Sequence, residues 1–440
     1  MGNQASQMRA YSTFEEHRDC LRPDDSETPT LAHVAAKILD GEIDQIVVLA
    51  GAGISVSAGI PDFRSPGSGL YDNLGKYNLP SPEAIFDIDF FDQNPYPFFR
   101  LAGELFPGKF RPTPTHYFLT LLEHKQVLRR VFTQNIDTLE SVAGLPEDRY
   151  VACHGNFSSN TCRRCREDYS QEWMKSKLFS RTTDTEDTED TEDSDDRPNI
   201  PIPRCEECGG IVKPDITFFG ESLPPRFEKL VVPDAQRCDL LLVMGTSLQV
   251  YPVGKLPDMV GPWVPRVLFN REPVHVANKF KLSDMLKEGD DDNEVAKVSR
   301  SSRSSTEDSG GSDDDAFDRD QLQQLKQNIT LEEDEEVVDT GFWFELGQEV
   351  SETGTETRSC NYRDVFAGGN CDDTVREFVE LLGWTEEFDL LIQQGNAKFD
   401  AAKKEMEIQR QTESEGTEAA VEEQETDDSL SNAMEKTNLN

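Results

Sequence analysis

Four cysteines in two short pairs carry the most specific chemical signal in the sequence. The pairs read CRRC, with Cys162 and Cys165, and CEEC, with Cys205 and Cys208. Four thiolates in two C-x-x-C pairs suit a closed tetrahedral zinc site in which protein atoms fill every position. The 39 residues between the pairs exceed the usual spacing of about 15–20, and an acidic stretch accounts for most of the excess. We therefore predict one structural zinc, with redox cysteines as the alternative.

A glycine-rich loop supplies the second candidate site. The stretch LAGAGISVSAGIPDFRSP, residues 49–66, follows the apolar run IDQIVVL, and a strand that ends in glycines can cradle a phosphate. A dehydrogenase fingerprint needs its third glycine at position 56, where this chain has Val56, and the next glycine is Gly59. The pattern therefore indicates phosphate binding in a setting that differs from the usual dehydrogenases.

Three more polar segments follow apolar runs. FTQNIDTLE (132–140) offers amides and a carboxylate that can grip a ribose or an amide, and helix capping by Asp137 is the alternative. CHGNF (153–157) places His154 where an imidazole can act as a general base, and a structural histidine is the alternative. GTSLQVYP (245–252) offers hydroxyls to a phosphate or ribose, or forms an ordinary turn. Each segment taken singly is weak evidence for a site.

These segments need a scaffold that brings strand ends together. Apolar runs at 43–50, 127–134, 238–245 and 264–270 each precede a polar or glycine-bearing turn, which is typical of buried parallel strands. Helical stretches lie between them, for example PTHYFLTLLEHKQ (114–126). The alternation predicts an α/β fold with a parallel sheet, in which ligands bind beyond the carboxyl ends of the strands.

Composition limits the classes of function. The 440 residues include 44 Lys and Arg against 85 Asp and Glu, which gives a net charge of −41. This balance argues against wrapping nucleic acid or adhering to an anionic membrane. It favours basic partners such as lysine-rich tails, and solubility alone is the alternative reason for it. No apolar run approaches the ~18 residues of a membrane span, and the first thirty residues lack the apolar core of a signal peptide. Nine cysteines without an export signal indicate a reducing compartment.

Acidic segments interrupt the α/β pattern. DTEDTEDTEDSDD, at 184–196, has nine acids and no base, and the chain after position 288 mixes acidic blocks with serines. Such segments cannot bury enough apolar surface to offset the entropy of ordering. We therefore expect a flexible arm at 1–30, disordered inserts at 182–198 and 288–340, and an acidic disordered tail at 393–440.

Together the motifs resemble one family. GAGISVSAGIPDFRS, TQNID, HG, the two C-x-x-C pairs, KPDITFFGE, GTSLQVYP and FNRE stand in the order seen in sirtuins, the NAD-dependent protein-lysine deacylases. Additional stretches, such as SGLYDNLGKYNLPSPEAIF, look most like the mainly cytosolic sirtuin two type. The resemblance implies a catalytic domain at 31–392 with a Rossmann-like large domain. A smaller lobe would combine a helical module at 65–112 with a zinc ribbon at 155–214.

The resemblance implies that NAD is the cofactor. The glycine loop would take the pyrophosphate, the PDFRS loop would fold over the nicotinamide end, and the later strand ends would hold the adenosine half. The residues implied to contact NAD are Ala52, Gly53, Ile54, Ser55, Asp62, Phe63, Arg64, Gln134, Asn135, Ile136, Asp137, Thr246, Ser247, Asn270, Arg271, Glu272 and Cys371.

The implied reaction removes an acetyl group from a protein lysine and yields nicotinamide and 2'-O-acetyl-ADP-ribose. His154 is the implied general base, with Asn135 and Asp137 as further catalytic residues that position the ribose and the nicotinamide amide. A substrate peptide is expected as an added strand, because main-chain pairing tolerates varied sequences. The residues implied to contact it are Phe218, Phe219, Gly220, Glu221, Val250 and Tyr251. Thr217 departs from the family, which usually has an apolar residue beside the acyl-lysine channel.

Other functions remain open at the level of sequence. A long-chain fatty-acyl deacylase and a mono-ADP-ribosyltransferase fit the same motifs. A catalytically weak acidic scaffold fits the charge, whereas a nucleic-acid-binding zinc ribbon is disfavoured by the charge and by CEEC. The resemblance further implies histone- or tubulin-like tails as substrates, and a location in the cytoplasm and also the nucleus. MGNQAS fits a myristoylation pattern at Gly2, which would give weak membrane association at most.

Overall fold

The structure, a computed structural model of the chain, describes most residues between positions 28 and 405. The described residues are 21, 28–65, 67–77, 79–179, 201–261, 263–276, 279–281, 336–338, 342, 349–350, 356–357 and 363–405. The expected arm and the two expected inserts thus lie almost entirely outside the described residues. None of the described helices is both long enough and apolar enough to cross a membrane. The chain divides into two units, Met1–Val274 with Phe344–Asn440, and His275–Trp343.

A sheet of six parallel strands forms the base of the first unit. The strands of the chain are β1 (Ile46–Ala50), β2 (Leu128–Thr133), β3 (Tyr150–Ala152), β4 (Gly155–Cys162), β5 (Asp168–Ser170), β6 (Val212–Ile216), β7 (Leu240–Met244), β8 (Arg266–Asn270), β9 (Lys279–Lys281), β10 (Glu336–Val338), β11 (Glu349–Val350), β12 (Glu356–Thr357) and β13 (Asp364–Gly368). The sheet order is β13-β8-β7-β1-β2-β3, with every neighbouring pair parallel. β1 and β7 are buried along their whole length, which explains their continuous apolar runs. The predicted α/β fold is confirmed.

Helices cover the sheet and fill the connections between its strands. They are α1 (Leu31–Leu39), α2 (Ile88–Gln93), α3 (Tyr96–Leu105), α4 (Pro114–His124), α5 (Leu139–Val142), α6 (Gln171–Phe179), α7 (Pro225–Gln236), α8 (Leu256–Met259), α9 (Cys371–Leu381) and α10 (residues 385–405). Short 3₁₀ helices span Ala52–Ala58, Tyr71–Tyr77, Pro82–Phe86, Glu147–Arg149 and Val253–Lys255. At the start of α4, the Thr113 hydroxyl accepts from the His116 N–H, and Pro114 occupies a first-turn position where its missing N–H costs nothing.

The strand register brings the predicted site segments together. Ala50 lies opposite Thr133 on one side and Met244 on the other. Met244 in turn lies opposite Phe269. The residues that follow β1, β2, β7 and β8 therefore emerge side by side at one edge of the sheet, as expected of parallel strands that end in register.

A second, antiparallel sheet carries the cysteine pairs, with the order β5-β4-β6. One apolar cluster includes buried residues from Leu70 to Phe106, Phe157 and Ile216 of this sheet, and Phe218, which follows β6. The Phe98 and Phe218 rings lie 4.8 Å apart between centroids, close to an edge-on arrangement that aromatic pairs favour. The helical segment after the glycine loop and the cysteine-bearing sheet therefore share one core.

Two stretches differ from the predicted disorder. Residues 393–405 belong to α10, where the Tyr117 hydroxyl donates to Asn396 at 3.4 Å and a Cβ on Gly395 would lie 2.2 Å from the Tyr117 ring. The prediction of a disordered tail from 393 is wrong for these residues, because a glycine at 395 lets the helix approach α4 closely. The rest of that tail lies outside the described residues.

Within the few residues of the second unit that the structure describes, there is one short strand pair. β9 and β10 pair antiparallel, and the Phe342 N–H donates to the His275 carbonyl at 2.8 Å. β10 falls inside the segment predicted to be disordered, so that prediction is wrong at these three residues. Val337 and Val338, which are β-branched, favour a strand there despite the acidic surroundings.

Candidate active site

The glycine loop (residues 51–59) packs directly against the turn that follows β7. The Gly51 N–H donates to Met244 at 2.9 Å, and the Gly53 N–H donates to the Gly245 carbonyl at 2.8 Å. Gly245 has a φ of +60°, so the turn needs a residue that tolerates left-handed backbone. A close approach of two backbones explains the glycines on both sides.

Gly53→Ala tests this packing. An added Cβ would lie 2.6 Å from the Gly245 Cα, which is backbone and cannot rotate away. We expect the free energy of unfolding to fall by about 1–3 kcal/mol, as for other overpacked sites. Gly75→Ala is the matched control, because a Cβ there meets nothing within 4 Å. Equal denaturant stability of the two variants would show that the loop is not packed as described.

The PDFRS loop is shaped by Asp62. Its carboxylate accepts from the Arg64 N–H at 3.0 Å, the Ser65 N–H at 2.7 Å and the Ser65 hydroxyl at 2.5 Å. Phe63 lies 5.7 Å from the Tyr71 ring and 5.9 Å from the Phe86 ring, measured between centroids. These contacts fix the conformation of the loop. Asp62 therefore supports the site by holding the N–H groups of Arg64 and Ser65 in position.

His154 has the hydrogen bonding of a general base. Its Nδ1 lies 3.0 Å from the Gln134 carbonyl oxygen, which can only accept a hydrogen bond. Nδ1 therefore carries the hydrogen, and in the neutral ring Nε2 keeps its lone pair. Nε2 is buried and has no partner. Burial lowers the pKa of His154, and the bond to Gln134 opposes this only in part, so the neutral ring prevails near neutral pH.

Gln134 offers a second unsatisfied group at the same place. Its side-chain oxygen accepts from the Thr246 hydroxyl at 3.1 Å, while its Nε2 is buried and has no partner. A buried amide donor left unpaired costs free energy, so a ligand acceptor fits this position. Gln134 and His154 thus present a donor and an acceptor to the same cavity.

Asn135, Asp137 and Ser55 form a network under the glycine loop. The Ser55 hydroxyl donates to Asp137 Oδ2 at 2.7 Å, and the Asn135 amide donates to the Ser55 Oγ at 3.3 Å and to the Gly51 carbonyl at 3.2 Å. Asp137 Oδ1 also accepts from the Leu139 N–H at 3.0 Å, but the N-cap of α5 is Thr138, so Asp137 shapes the turn before the helix and is not its N-cap. The network locks the loop after β2 to the loop after β1.

These elements enclose a cavity of about 1030 Å³, at the upper end of the range for small-molecule sites. The sequence-predicted residues that line it are Ala52, Gly53, Asp62, Phe63, Arg64, Gln134, Asn135, Ile136, His154, Phe218, Phe219, Gly220, Glu221, Thr246, Ser247, Val250, Tyr251, Asn270, Arg271, Glu272 and Cys371. Thr217 lines it as well. The volume suits a ligand at the large end of the small-molecule range, and Gln134 and His154, each with one unpaired polar atom, belong to the wall of the cavity.

Three of the predicted contact residues do not line the cavity. Ile54, Ser55 and Asp137 are 1%, 1% and 8% exposed and lie behind its wall. Sequence reasoning also missed Asn370 and Asp372, which line the cavity at the start of α9. The signal was the short apolar run VFAG before them, which forms most of β13.

The far end of the cavity is built from the loops after β8 and β13. The Asn270 amide donates to the Glu272 carbonyl at 2.9 Å, and the Arg271 Nε donates to Asn370 at 3.2 Å. Burial raises the pKa of the Cys371 thiol to about 12, so this cysteine stays protonated. The Cys371 Sγ lies 3.6 Å from the Phe269 carbonyl oxygen, to which its S–H donates.

A buried lysine organises the segment KPDITFFGE. The Lys213 Nζ donates to the Ile216 carbonyl at 2.5 Å and to Glu221 Oε2 at 2.8 Å. The same Glu221 oxygen accepts from the Phe218 N–H at 3.0 Å. Phe219 and Tyr251 remain 42% and 58% exposed on either side of the cavity mouth, which leaves apolar surface for a partner.

The four paired cysteines converge as predicted. The Sγ atoms of Cys162 and Cys208 are 3.5 Å apart, as are those of Cys165 and Cys205. All four lie within 4.8 Å of one another. A disulfide requires ~2.05 Å, whereas tetrahedral zinc with ~2.3 Å bonds places sulfurs ~3.8 Å apart. The set therefore fits a structural zinc with no position left for water.

Groups around the cysteines support metal binding. The N–H groups of Arg164 and Cys165 point at the Cys162 sulfur from 3.4 and 3.5 Å, and the Tyr169 hydroxyl donates to the Cys205 sulfur at 3.2 Å. Such bonds stabilise thiolate ligands. A Cβ on Gly210 would lie 3.2 Å from the sulfurs of Cys162 and Cys208, so the turn is closely packed at this site.

Comparison with known proteins agrees with this geometry. A family model described as the Sir2 family matches residues 51–252. NAD-dependent protein deacetylase sirtuin-2 of Danio rerio is 51% identical over 245 residues, which is 55% of this chain and 60% of the relative. NAD-dependent deacetylase sir2A of Dictyostelium discoideum is 48% identical over 263 residues, 59% of this chain and 47% of the relative.

A further relative is covered more fully. NAD-dependent protein deacetylase hst2 of Schizosaccharomyces pombe is 43% identical over 265 residues, which is 60% of this chain and 74% of the relative. The chain thus spans less than two thirds of the Danio and Dictyostelium relatives and nearly three quarters of this one. With its parallel sheet, glycine loop, buried histidine and cysteine cluster, the chain belongs to the Sir2 family.

Proposed function

We propose that the chain is an NAD-dependent protein-lysine deacetylase. The observation that carries the proposal is His154, whose Nδ1 is bound to the Gln134 carbonyl while its buried Nε2 has no partner. This arrangement leaves one basic nitrogen directed at a cavity that also presents the unpaired Gln134 amide. The relatives named as NAD-dependent deacetylases support the choice of NAD as cofactor.

Three residues around the cavity, His154, Phe63 and Asn135, would have distinct roles in the reaction. When bound, NAD supplies a ribose carbon that receives the acetyl oxygen as nicotinamide leaves. His154 Nε2 would act as the general base by accepting a proton from a ribose hydroxyl of bound NAD. Phe63, held against Tyr71 and Phe86, shields the reacting centre from water. Asn135 holds the glycine loop through the Gly51 carbonyl while its side chain faces the cavity.

The substrate would enter between the segments 218–221 and 250–252 as an extended strand. The Phe219 N–H already donates to the Phe86 carbonyl at 2.8 Å. The backbone groups that hydrogen-bond to the peptide would therefore be those of residues next to Phe219. The net charge of −41 favours basic peptides, and we extend the proposal to lysine-rich tails such as those of histones or tubulin.

Nicotinamide release tests the proposal. The chain is incubated with NAD and a lysine-rich peptide carrying either an acetyl or a myristoyl lysine, or no acyl group. We expect release that depends on the acyl group and is faster with acetyl. Release without any acylated peptide would contradict a deacetylase, and faster turnover of myristoyl would favour the long-chain alternative. Thr217→Val then shows whether the Thr217 hydroxyl, at the cavity wall, alters the preference for acyl length.

Cellular location extends the proposal. We place the protein in the cytoplasm and also the nucleus, with a myristoyl group on Gly2 that supports only weak, reversible membrane association. Intact-mass analysis of the N-terminal peptide from eukaryotic cells decides the modification. Gly2→Ala should remove any membrane-bound fraction.

A further inference from the structure

A cluster of three buried titratable side chains lies directly behind the cavity wall. His116, Asp137 and Glu140 each place one nitrogen or oxygen within 4.8 Å of the others. They are 0%, 8% and 1% exposed. Two atoms of the cluster, His116 Nε2 and Glu140 Oε1, are buried without a hydrogen-bond partner. Neither His116 nor Glu140 has a part in the proposed reaction.

The two carboxyl groups of the cluster differ in their surroundings. Both Asp137 oxygens accept hydrogen bonds, from the Ser55 hydroxyl and from the Leu139 N–H, whereas Glu140 Oε1 has no partner. Burial and, second to it, the charge of Asp137 raise the pKa of Glu140 to about 8. Two adjacent buried carboxylates do not both ionise readily, so Glu140 is the one that holds a proton at neutral pH.

The neighbouring titratable groups His116, Tyr150 and Cys153 do not change charge near pH 8. Burial lowers the pKa of His116, and the charges of Asp137 and Asp372 oppose this only in part, so its ring is neutral. Burial raises the pKa of Tyr150 above its ordinary value of 10.0. It also raises the pKa of Cys153 far above the ordinary value of 9.0. Glu140 is therefore the group of the cluster that changes charge near pH 8.

Glu140 is linked to both loops of the site. The Thr133 hydroxyl accepts from the Asn135 N–H at 3.1 Å, and its interaction with the Glu140 carboxyl offsets only part of the rise in the pKa of Glu140 that burial causes. On the other side, Asp137 holds Ser55 in the glycine loop at 2.7 Å. A negative charge on Glu140 would repel Asp137 and so disturb the bond that fixes this loop.

We propose that Glu140 is a positioning residue, whose protonated carboxyl keeps Asp137, Ser55 and the glycine loop in the arrangement that binds NAD. The inference rests on the proposed function in that NAD is taken as the ligand. It makes the affinity for NAD depend on the ionisation of a residue that does not touch it. NAD affinity then falls as pH rises through about 8, because only chains with protonated Glu140 bind well.

Calorimetric titration of NAD between pH 6.5 and 9.5 tests the proposal. If only protonated chains bind, the apparent Kd rises about tenfold from pH 7 to pH 9. Glu140→Gln mimics the protonated carboxyl, so its Kd should change less than about twofold over that range. Glu147→Gln removes the same charge from an exposed position nearby and should keep the dependence seen in the unmodified chain. Thermal melting of all three at pH 9 controls for loss of fold.

A second measurement needs no variant. At a pH equal to the pKa of Glu140, NAD binding should take up about 0.5 proton per NAD, detectable in buffers of different ionisation enthalpy. A Kd that stays flat to pH 9.5, no proton uptake near pH 8, or the same pH dependence in Glu140→Gln would each overturn the proposal. An unmodified chain that binds no NAD at any pH would instead contradict the proposed function.

Discussion

His154→Tyr is expected to lower deacetylation by about 100-fold or more, because the only unpaired basic nitrogen in the described cavity wall is lost. Zinc content should be unaffected, since His154 is not part of the cysteine cluster, and the fold should persist, since the bond that its side chain makes is to a loop carbonyl, that of Gln134. The measurement is the rate of deacetylated peptide formation at saturating NAD and peptide, beside the Kd for NAD.

A smaller variant separates chemistry from crowding. Tyrosine is larger than histidine and adds bulk to the cavity wall, whereas asparagine is smaller. His154→Asn should therefore lose turnover through the missing base alone, with a Kd for NAD within a few-fold of that of the unmodified chain. His124→Tyr, an equal substitution at an exposed position of α4, should keep full activity. Turnover of His154→Asn close to that of His124→Tyr would remove His154 from the reaction.

Cys205→Ser should have the largest effect on stability. A hydroxyl replaces one of four thiolates, and metal binding contributes directly to the folding free energy of such sites. The apolar cluster next to the metal includes Phe218, which borders the cavity, so loss of the metal should also abolish activity. We expect the zinc content to fall from one per chain to nearly none. The melting temperature should drop by about 10 °C or more, as for other losses of structural metals.

Cys238→Ser is the matched control for this variant. Cys238 is 5% exposed and lies outside the cysteine cluster, so the same exchange of sulfur for oxygen should leave the zinc content at one. Elemental analysis and thermal melting on both variants decide the matter. A zinc-free but fully active chain would contradict a structural role for the metal.

The sequence predicts the central strands and the zinc ligands well, for physical reasons. β1, β7 and β8 are buried on both faces, so their apolar runs are visible without any knowledge of neighbours. β13 is less evident because it starts with Asp364, whose burial is compensated by Arg266 of β8, which donates to both of its oxygens at 2.7 and 2.6 Å. A pairing between residues 98 positions apart is invisible in a local pattern.

The direction of side chains inside the site could not be read from spacing. The resemblance assigns Ser55 and Asp137 to NAD, yet the two point at each other behind the wall of the cavity. Gln134 and His154, in contrast, line the cavity as assigned. Glu140 stands in the same motif, but its burial beside Asp137 depends on α4 and β3, which pack around it only in the folded chain.

The most direct test of the account identifies the product that receives the acetyl group. The full chain is incubated with NAD and an acetyl-lysine peptide, and all products are quantified by mass spectrometry. We predict equal amounts of deacetylated peptide, nicotinamide and ADP-ribose that carries the acetyl group. Free acetate without nicotinamide, or ADP-ribose attached to the peptide, would contradict an NAD-dependent deacetylase.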